Sequence, residues 1–444
     1  MRNFSLFRQE VKTYLLYILC ITSISVEASN LEGVYRIAES SDPQYKQVAA
    51  SKRAVLELRP QAIAGLLPSA SLKANTISNE QDIGIEGFGA AGKTSFNSHG
   101  YVLDVSQPIF RGDRFIKLRQ SSSLIRQADA ELSSAQQGLM IRVAEAYFDV
   151  LAAKDSFQFA EAEKKSLSKQ LDQAKQRFEV GLTAITDVQE AQAGYDLAVS
   201  QEIVAKNEID NAGEGLRAIT GEYINKLLEL NHDMPLVNPQ PEEINIWTDT
   251  ALEQNLDVIS ARFAVDTARE EILLQRAGHL PTLDLFARHN FDKSGGRFGS
   301  SKVRSSAVGL QLNVPIFQGG FVSSKAREAH QRLDEQFQRL EQARRQAQLL
   351  TRQAYLGVIS GISQVKALKQ AVISSETALL STQAGFEVGT RTAVDVVASE
   401  RTTFQARRNY SRARYDYILN TLKLKRAAGI LSTTDLTQVS QWLE

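Results

Sequence analysis

The sequence predicts a mainly α-helical, internally duplicated protein that also carries membrane-barrel strands, and three observations lead there. A repeat divides the chain in two, each half holds one very long proline-free helical stretch, and each half offers two short alternating segments of strand character.

The repeat is read first, because it organises everything else. The segment from Phe178 to Val188, FEVGLTAITDV, returns from Phe386 to Val396 as FEVGTRTAVDV, 208 positions later. Ala146-Tyr147 returns as Ala354-Tyr355 and Gly221 as Gly429 at the same offset. Pro108-Ile109-Phe110 recurs as Pro315-Ile316-Phe317, and Leu67-Pro68 as Leu280-Pro281. The interval between these last two motifs shrinks from 40 residues to 34, which places the length difference between the halves in one loop.

Each half then predicts a helix. From Gly112 to Glu179 and from Gly319 to Glu387 no proline intervenes. In the first stretch Leu139, Val143, Ala146, Val150, Ala153, Phe157, Ala160, Leu167, Leu171, Ala174 and Phe178 step alternately by four and three, with Lys164 the one polar place. A strict seven-residue repeat implies left-handed supercoiling against partner helices. The second stretch carries the same register from Ala347 to Phe386. At ~1.5 Å per residue each helix reaches about 100 Å.

The strands come next. Residues 69–77, 101–109, 282–290 and 305–315 alternate apolar or small with polar side chains, two strands per half. The Gly-rich, polar stretches 79–100 and 291–304 read as hairpin loops. No stretch beyond the N-terminus approaches ~20 consecutive apolar residues, so a membrane can be entered only as strands. Four strands cannot close a barrel and a membrane tolerates no open edge, so several chains must pool their strands. Three chains supply twelve.

Residues 1–28 read as a secretory signal peptide: Arg2, Arg8 and Lys12 precede an apolar run, and Val26-Glu27-Ala28 ends it in the small-residue pattern of a cleavage site. The only cysteine, Cys20, lies in that run, so no disulfide is expected. Lys and Arg number 51, as do Asp and Glu, a balance that gives no reason to expect a nucleic-acid partner. His99, His232, His279, His289 and His330 form no ligand-spaced pair, and no motif points to nucleophilic catalysis, a metal or a cofactor. The expectation is a protein that is not an enzyme.

On the FEVG segments, His279-Leu-Pro-Thr-Leu-Asp-Leu285 and Val314-Pro-Ile-Phe-Gln-Gly-Gly320, the chain resembles the TolC family of outer-membrane efflux channels from Leu31 to about Leu431. The resemblance implies a homotrimer in which a 12-stranded β-barrel in the outer membrane continues into a 12-helix coiled-coil α-barrel across the periplasm. The domain reading is a signal peptide (1–28), a first repeat (29–221), an equatorial linker (222–247), a second repeat (248–429) and an equatorial tail (430–444). The implied partners are outer-membrane lipid, a periplasmic adaptor protein and, through it, an inner-membrane RND, ABC or MFS pump. The implied function is efflux of small toxic molecules or type I secretion of proteins.

The resemblance also implies a site. Each FEVG segment becomes a helical turn at the periplasmic tip, where Val180, Gly181, Leu182, Val388, Gly389 and Thr390 dock the adaptor. Asp395 matches a carboxylate whose threefold ring narrows the entrance, Arg391 an arginine that ties the inner helix pair to its neighbour, and Thr186 and Asp187 its partners in the closed state. Two positions depart from the family pattern. Phe386 replaces a tyrosine whose hydroxyl would reach Asp187, and Ala398 replaces a second aspartate ring. Read from the residues alone, Thr186 or Asp187 caps the following helix, with Gln189 or Glu190 completing a capping box, and Asp395 is an acid favoured at a helix start. The rival function is a non-conducting trimeric scaffold or receptor that spans the periplasm.

Overall fold

The structure, a computed structural model, describes residues 29–84, 92–224, 226–231, 234–296 and 299–444. The expected signal peptide therefore lies outside the described residues.

Two similar sets of elements follow one another. The first comprises α1 (Leu31–Ser41), α2 (Pro43–Leu56), α3 (Leu58–Ala64), β1 (Ser69–Ile83), β2 (Gly92–Phe110), α4 (Gly112–Glu179) and α5 (Ile185–Thr220). The second comprises α6 (Ile244–Gln254), α7 (Leu256–Arg276), β3 (Thr282–Ser294), β4 (Ser301–Asn313), α8 (Phe321–Glu387) and α9 (Ala393–Ala427), and α10 (Thr433–Ser440) follows. Helix α4 has 68 residues and α8 has 67. In α4 most of the heptad seam is buried: Leu139, Val143, Val150, Ala153, Ala160, Leu167, Leu171 and Ala174 are buried, Ala146 and Phe157 half-buried and Phe178 exposed. Lys164, the polar interruption, is accommodated by Glu202 of α5, which accepts from its Nζ at 2.6 and 2.7 Å. In α8 burial holds from Ala347 to Val365 and then fades, leaving Ile373 and Leu380 exposed toward the tip.

The strands form one antiparallel sheet in the order β1-β2-β3-β4, so the hairpins of both halves meet at β2 and β3. Its faces differ. Ala70, Leu72, Leu103, Val105, Leu285, Ala287, Val308 and Leu310 share one, mostly apolar face with Gln107 and His289, while Ser71, Lys73, Asp104, Ser106, Arg288 and Asn290 share the other, mostly polar face with Val102 and Phe286. On the polar face Arg288 pairs with Asp104 at 2.5 Å. Val308 is 77% exposed, and β1 and β4 end the sheet with unpaired edges. No helix among the described residues is long and apolar enough to cross a membrane.

The strand bounds correct the sequence reading. Much of the expected loops 79–100 and 291–304 is strand, because β1 runs to Ile83, β2 starts at Gly92, β3 runs to Ser294 and β4 starts at Ser301. In these extensions polar side chains occupy both faces, which erases the alternation signal although the backbone ladder continues. At the other end β4 stops at Asn313 rather than 315, where Pro315 has no N–H for a ladder.

The main apolar core lies midway along the two long helices α4 and α8. Leu31, Val34 and Tyr35 of α1, Leu139 to Leu151 of α4, Tyr415 to Leu424 of α9 and Leu436 of α10 meet there with Leu227, Leu230 and Trp247. Phe148 stacks on Tyr415 with centroids 5.4 Å apart. The linker is stitched to the tail by reciprocal backbone bonds between Glu229 and Glu444, 2.9 Å each.

Candidate functional site at the helical tips

Both FEVG segments close their helices with the same turn. After α4, Gly181 adopts φ +76°, its N–H donates to Phe178 O, and Leu182 N–H donates to Arg177 O at 2.8 Å. After α8, Gly389 also has φ +76°, and Thr390 N–H donates to Gly385 O at 2.8 Å. This six-to-one bond with a left-handed residue is the Schellman arrangement, which glycine adopts without steric cost. The turns leave Val180, Leu182 and Val388 between 68% and 75% exposed, apolar groups at the extreme end of the molecule.

The restarts after the turns differ. Thr392 is the N-cap of α9, and a full capping box joins it to Asp395: Asp395 N–H donates to Thr392 Oγ1 at 3.3 Å, and Thr392 N–H donates to Asp395 Oδ2 at 2.9 Å. The Thr392 backbone and hydroxyl donors, assisted by the Arg391 charge, hold the Asp395 carboxyl below its ordinary range. Asp395 is thus an anion fixed at the tip.

The box expected around Thr186 or Asp187 with Gln189 or Glu190 does not form. Helix α5 begins at Ile185 with Ala184 as N-cap, so Thr186 and Asp187 lie inside its first turn. Ala184 stands where the second repeat has Thr392, and Thr183, one residue earlier, donates its hydroxyl to Asp187 instead. We expect Thr392→Ala to cost about 1 kcal/mol of local helix stability and to return the Asp395 carboxyl toward its ordinary range. Amide exchange over the first turn of α9 measures it, and the first turn of α5 in Ala184→Thr gives the converse, a cap gained. Equal exchange in wild type and Thr392→Ala would remove the cap from the argument.

The site residues are gathered at one end, but not all touch. Among the described residues Arg391 makes no ion pair within the chain; its stem lies over Gly385, where a Cβ would meet Arg391 Cγ at 2.8 Å. Thr186 and Ala398 are exposed. Phe386, the departure from tyrosine, has a different partner: the Arg177 guanidinium sits 4.7 Å from its ring centroid and bridges α4 to α8. Such a contact is worth ~0.5–1 kcal/mol at an exposed site. Sequence reasoning missed this contact because no spacing rule links residues so far apart. It also missed the Thr392 box, although Thr-x-x-Asp was legible as a capping signature.

A two-faced sheet with open edges, continued by paired helices of about 100 Å, defines the class: an outer-membrane channel protein that extends into the periplasm. The chain belongs to the outer membrane efflux protein family, whose sequence profile matches residues 34–222 and 247–430. It is 37% identical over 426 residues to the outer membrane protein TolC of Vibrio cholerae serotype O1, covering 95% of each chain. It is 30% identical over 411 residues to the alkaline protease secretion protein AprF of Pseudomonas aeruginosa, covering 91% of this chain and 85% of the relative. Its fold is similar to the crystal structure of the Campylobacter jejuni CmeC outer membrane channel, with a TM-score of 0.80 at 18% identity over 94% of this chain and 91% of that one.

Proposed function

We propose that three chains join edge to edge, β4 of one beside β1 of the next, into a 12-stranded barrel continued by a 12-helix tunnel. The tunnel is the outer conduit for efflux of small toxic molecules and for type I secretion of proteins. The observation that carries this reading is the sheet: its apolar face suits lipid, its polar face suits an aqueous lumen, and its unpaired edges cannot remain open in a membrane. The similarity to AprF supports the secretion role. The conduit performs no catalysis and holds no cofactor.

At the tips, Asp395 supplies a fixed anion from each chain, a ring that attracts cations. Arg391, whose guanidinium makes no ion pair among the described residues, reaches the Asp187 and Thr186 region of a neighbour and latches the entrance, while the apolar Val180, Leu182 and Val388 surfaces with Gly181, Gly389 and Thr390 dock the periplasmic adaptor of an RND, ABC or MFS pump. Ala398 leaves the entrance with one acidic ring instead of two.

The test is single-channel recording in planar bilayers. Wild type is expected to show a small cation-selective conductance that rises several-fold in Arg391→Ala. No conductance from either protein, with the trimer verified, would favour the non-conducting scaffold or receptor.

A further inference from the structure

Behind the tip a carboxyl group is buried that none of the gate residues uses. Glu400 of α9 is 1% exposed. Its Oε1 accepts from Ser166 Oγ of α4 at 2.7 Å and from Gln383 Nε2 of α8 at 3.5 Å, whereas among the described residues Oε2, like Nε2 of Gln170 of α4 in the same cleft, has no partner at hydrogen-bond distance. One side chain therefore joins three helices from both hairpins. Ser166 lies 13 residues before the end of α4, ~20 Å up the helix.

The charges around Glu400 do not neutralise it. Glu163 of α4 is equally buried and already paired with Arg408 of α9 at 3.1 Å. Lys169 and Arg177 of α4 and Glu387 of α8 line the same cleft, and Arg177 is engaged over Phe386. Burial first, with the Glu163 charge adding to it, pushes the Glu400 carboxyl above its ordinary 4.5, against the pull of its hydrogen-bond donors.

We propose that Glu400 is the positioning residue that seats the second helical hairpin against the first, and that its ionisation opposes this closed packing. The proposal rests on the gated-conduit reading and adds an intrachain, proton-sensitive element to it. The sign follows from the linkage between packing and protonation. When the hairpins separate, Glu400 is solvated and titrates near 4.5; when packed, it binds its proton more tightly. Below pH 4.5 the carboxyl is protonated in both arrangements and does not oppose closure. As pH rises through the raised value, the packed arrangement carries an uncompensated buried charge and separation becomes easier.

Val397 reports the packing directly, because it is buried at the same seam against Leu167 of α4 and Ala198 of α5. Labelling of Val397→Cys by a dipyridyl disulfide measures seam opening without conductance, and comparing two backgrounds at each pH cancels the reagent's own pH dependence. With Glu400 present, labelling at pH 7.5 is expected to be several-fold faster than with Glu400→Gln, and the two rates are expected to converge as the pH falls toward 4, because the packed carboxyl holds its proton more tightly than the solvated one. Glu400→Asp, which still titrates, keeps the pH profile. Equal rates in the Glu and Gln backgrounds at every pH would overturn the proposal. Bilayer recording of the same proteins reads the conduit separately: seam opening that follows Glu400 in a trimer that never conducts sinks the conduit and leaves the seam assignment standing.

Discussion

Gly429→Ala is expected to cost about 4 kcal/mol or to prevent folding, while the repeat-related Gly221→Ala costs about 1 kcal/mol. Both glycines end helices in the left-handed region, φ +80° and +77°. Their surroundings differ. A Cβ on Gly429 would lie 2.1 Å from Gln254 O and 2.7 Å from Asn255 N, backbone atoms held where α7 begins, whereas on Gly221 it would meet only Ser41 Cβ at an ordinary 3.6 Å. Strain of the left-handed conformation is common to the two sites, so the difference isolates the collision. Thermal unfolding of the purified protein in detergent gives the comparison. Matching losses at the two positions would mean that conformation alone dictates glycine and that the close approach to Gln254 relaxes without cost.

Arg142→Ala is expected to lose about 3 kcal/mol, more than Asp42→Asn at the same pair. Asp42 is 2% exposed, accepts from the Arg142 guanidinium at 2.8 and 2.9 Å, and also caps α2 by accepting from Tyr45 N–H at 2.6 Å. Removing the arginine strands a buried charge; removing the charge strands only an arginine that water reaches. The hydrogen bonds from Arg142 hold the Asp42 carboxyl below its ordinary 3.8, against the opposing effect of burial. A lowered folded-state pKa means that the contribution is fully present above pH 3.8 and is lost as pH falls through the lower value. Stability measured between pH 6 and pH 2 should therefore drop more steeply in wild type than in Asp42→Asn. Parallel curves would show that the pair contributes nothing to acid sensitivity.

What could be read in advance depended on the range of the interaction. The proline-free run from Gly112 to Glu179 matches α4 residue for residue, and the four-three stepping of its apolar residues marks its buried face, because both are local properties of one helix. The FEVG glycines were legible for the same reason: a left-handed turn is a demand on one residue. The strands were read too short because Asn79, Glu80, Lys93 and Ser95 are polar whichever face they take, and a ladder held by backbone hydrogen bonds leaves no pattern in such side chains. The Arg177–Phe386 contact and the Glu400 junction join residues more than 200 positions apart, or three helices at once, and no periodicity carries that information. The box expected on Thr186 or Asp187 failed because α5 starts earlier, at Ile185, and its N-cap is Ala184, where the second repeat has Thr392, so no side chain caps that helix.

The two open edges of the sheet are not alike, since β1 belongs to the first repeat and β4 to the second. In the proposed assembly pairing between copies is then head to tail, and head-to-tail contacts close only when the rotation per copy divides a full circle. Edge chemistry alone would accept any number of copies. In the proposed ring curvature would set the count, and the sheet is tightest at two glycines: a Cβ on Gly100 would lie 2.6 Å from Phe291 O, and one on Gly309 3.0 Å from the Phe286 ring. A bulkier residue at either would have to displace these neighbours and so reshape the sheet whose edges the proposed ring must close.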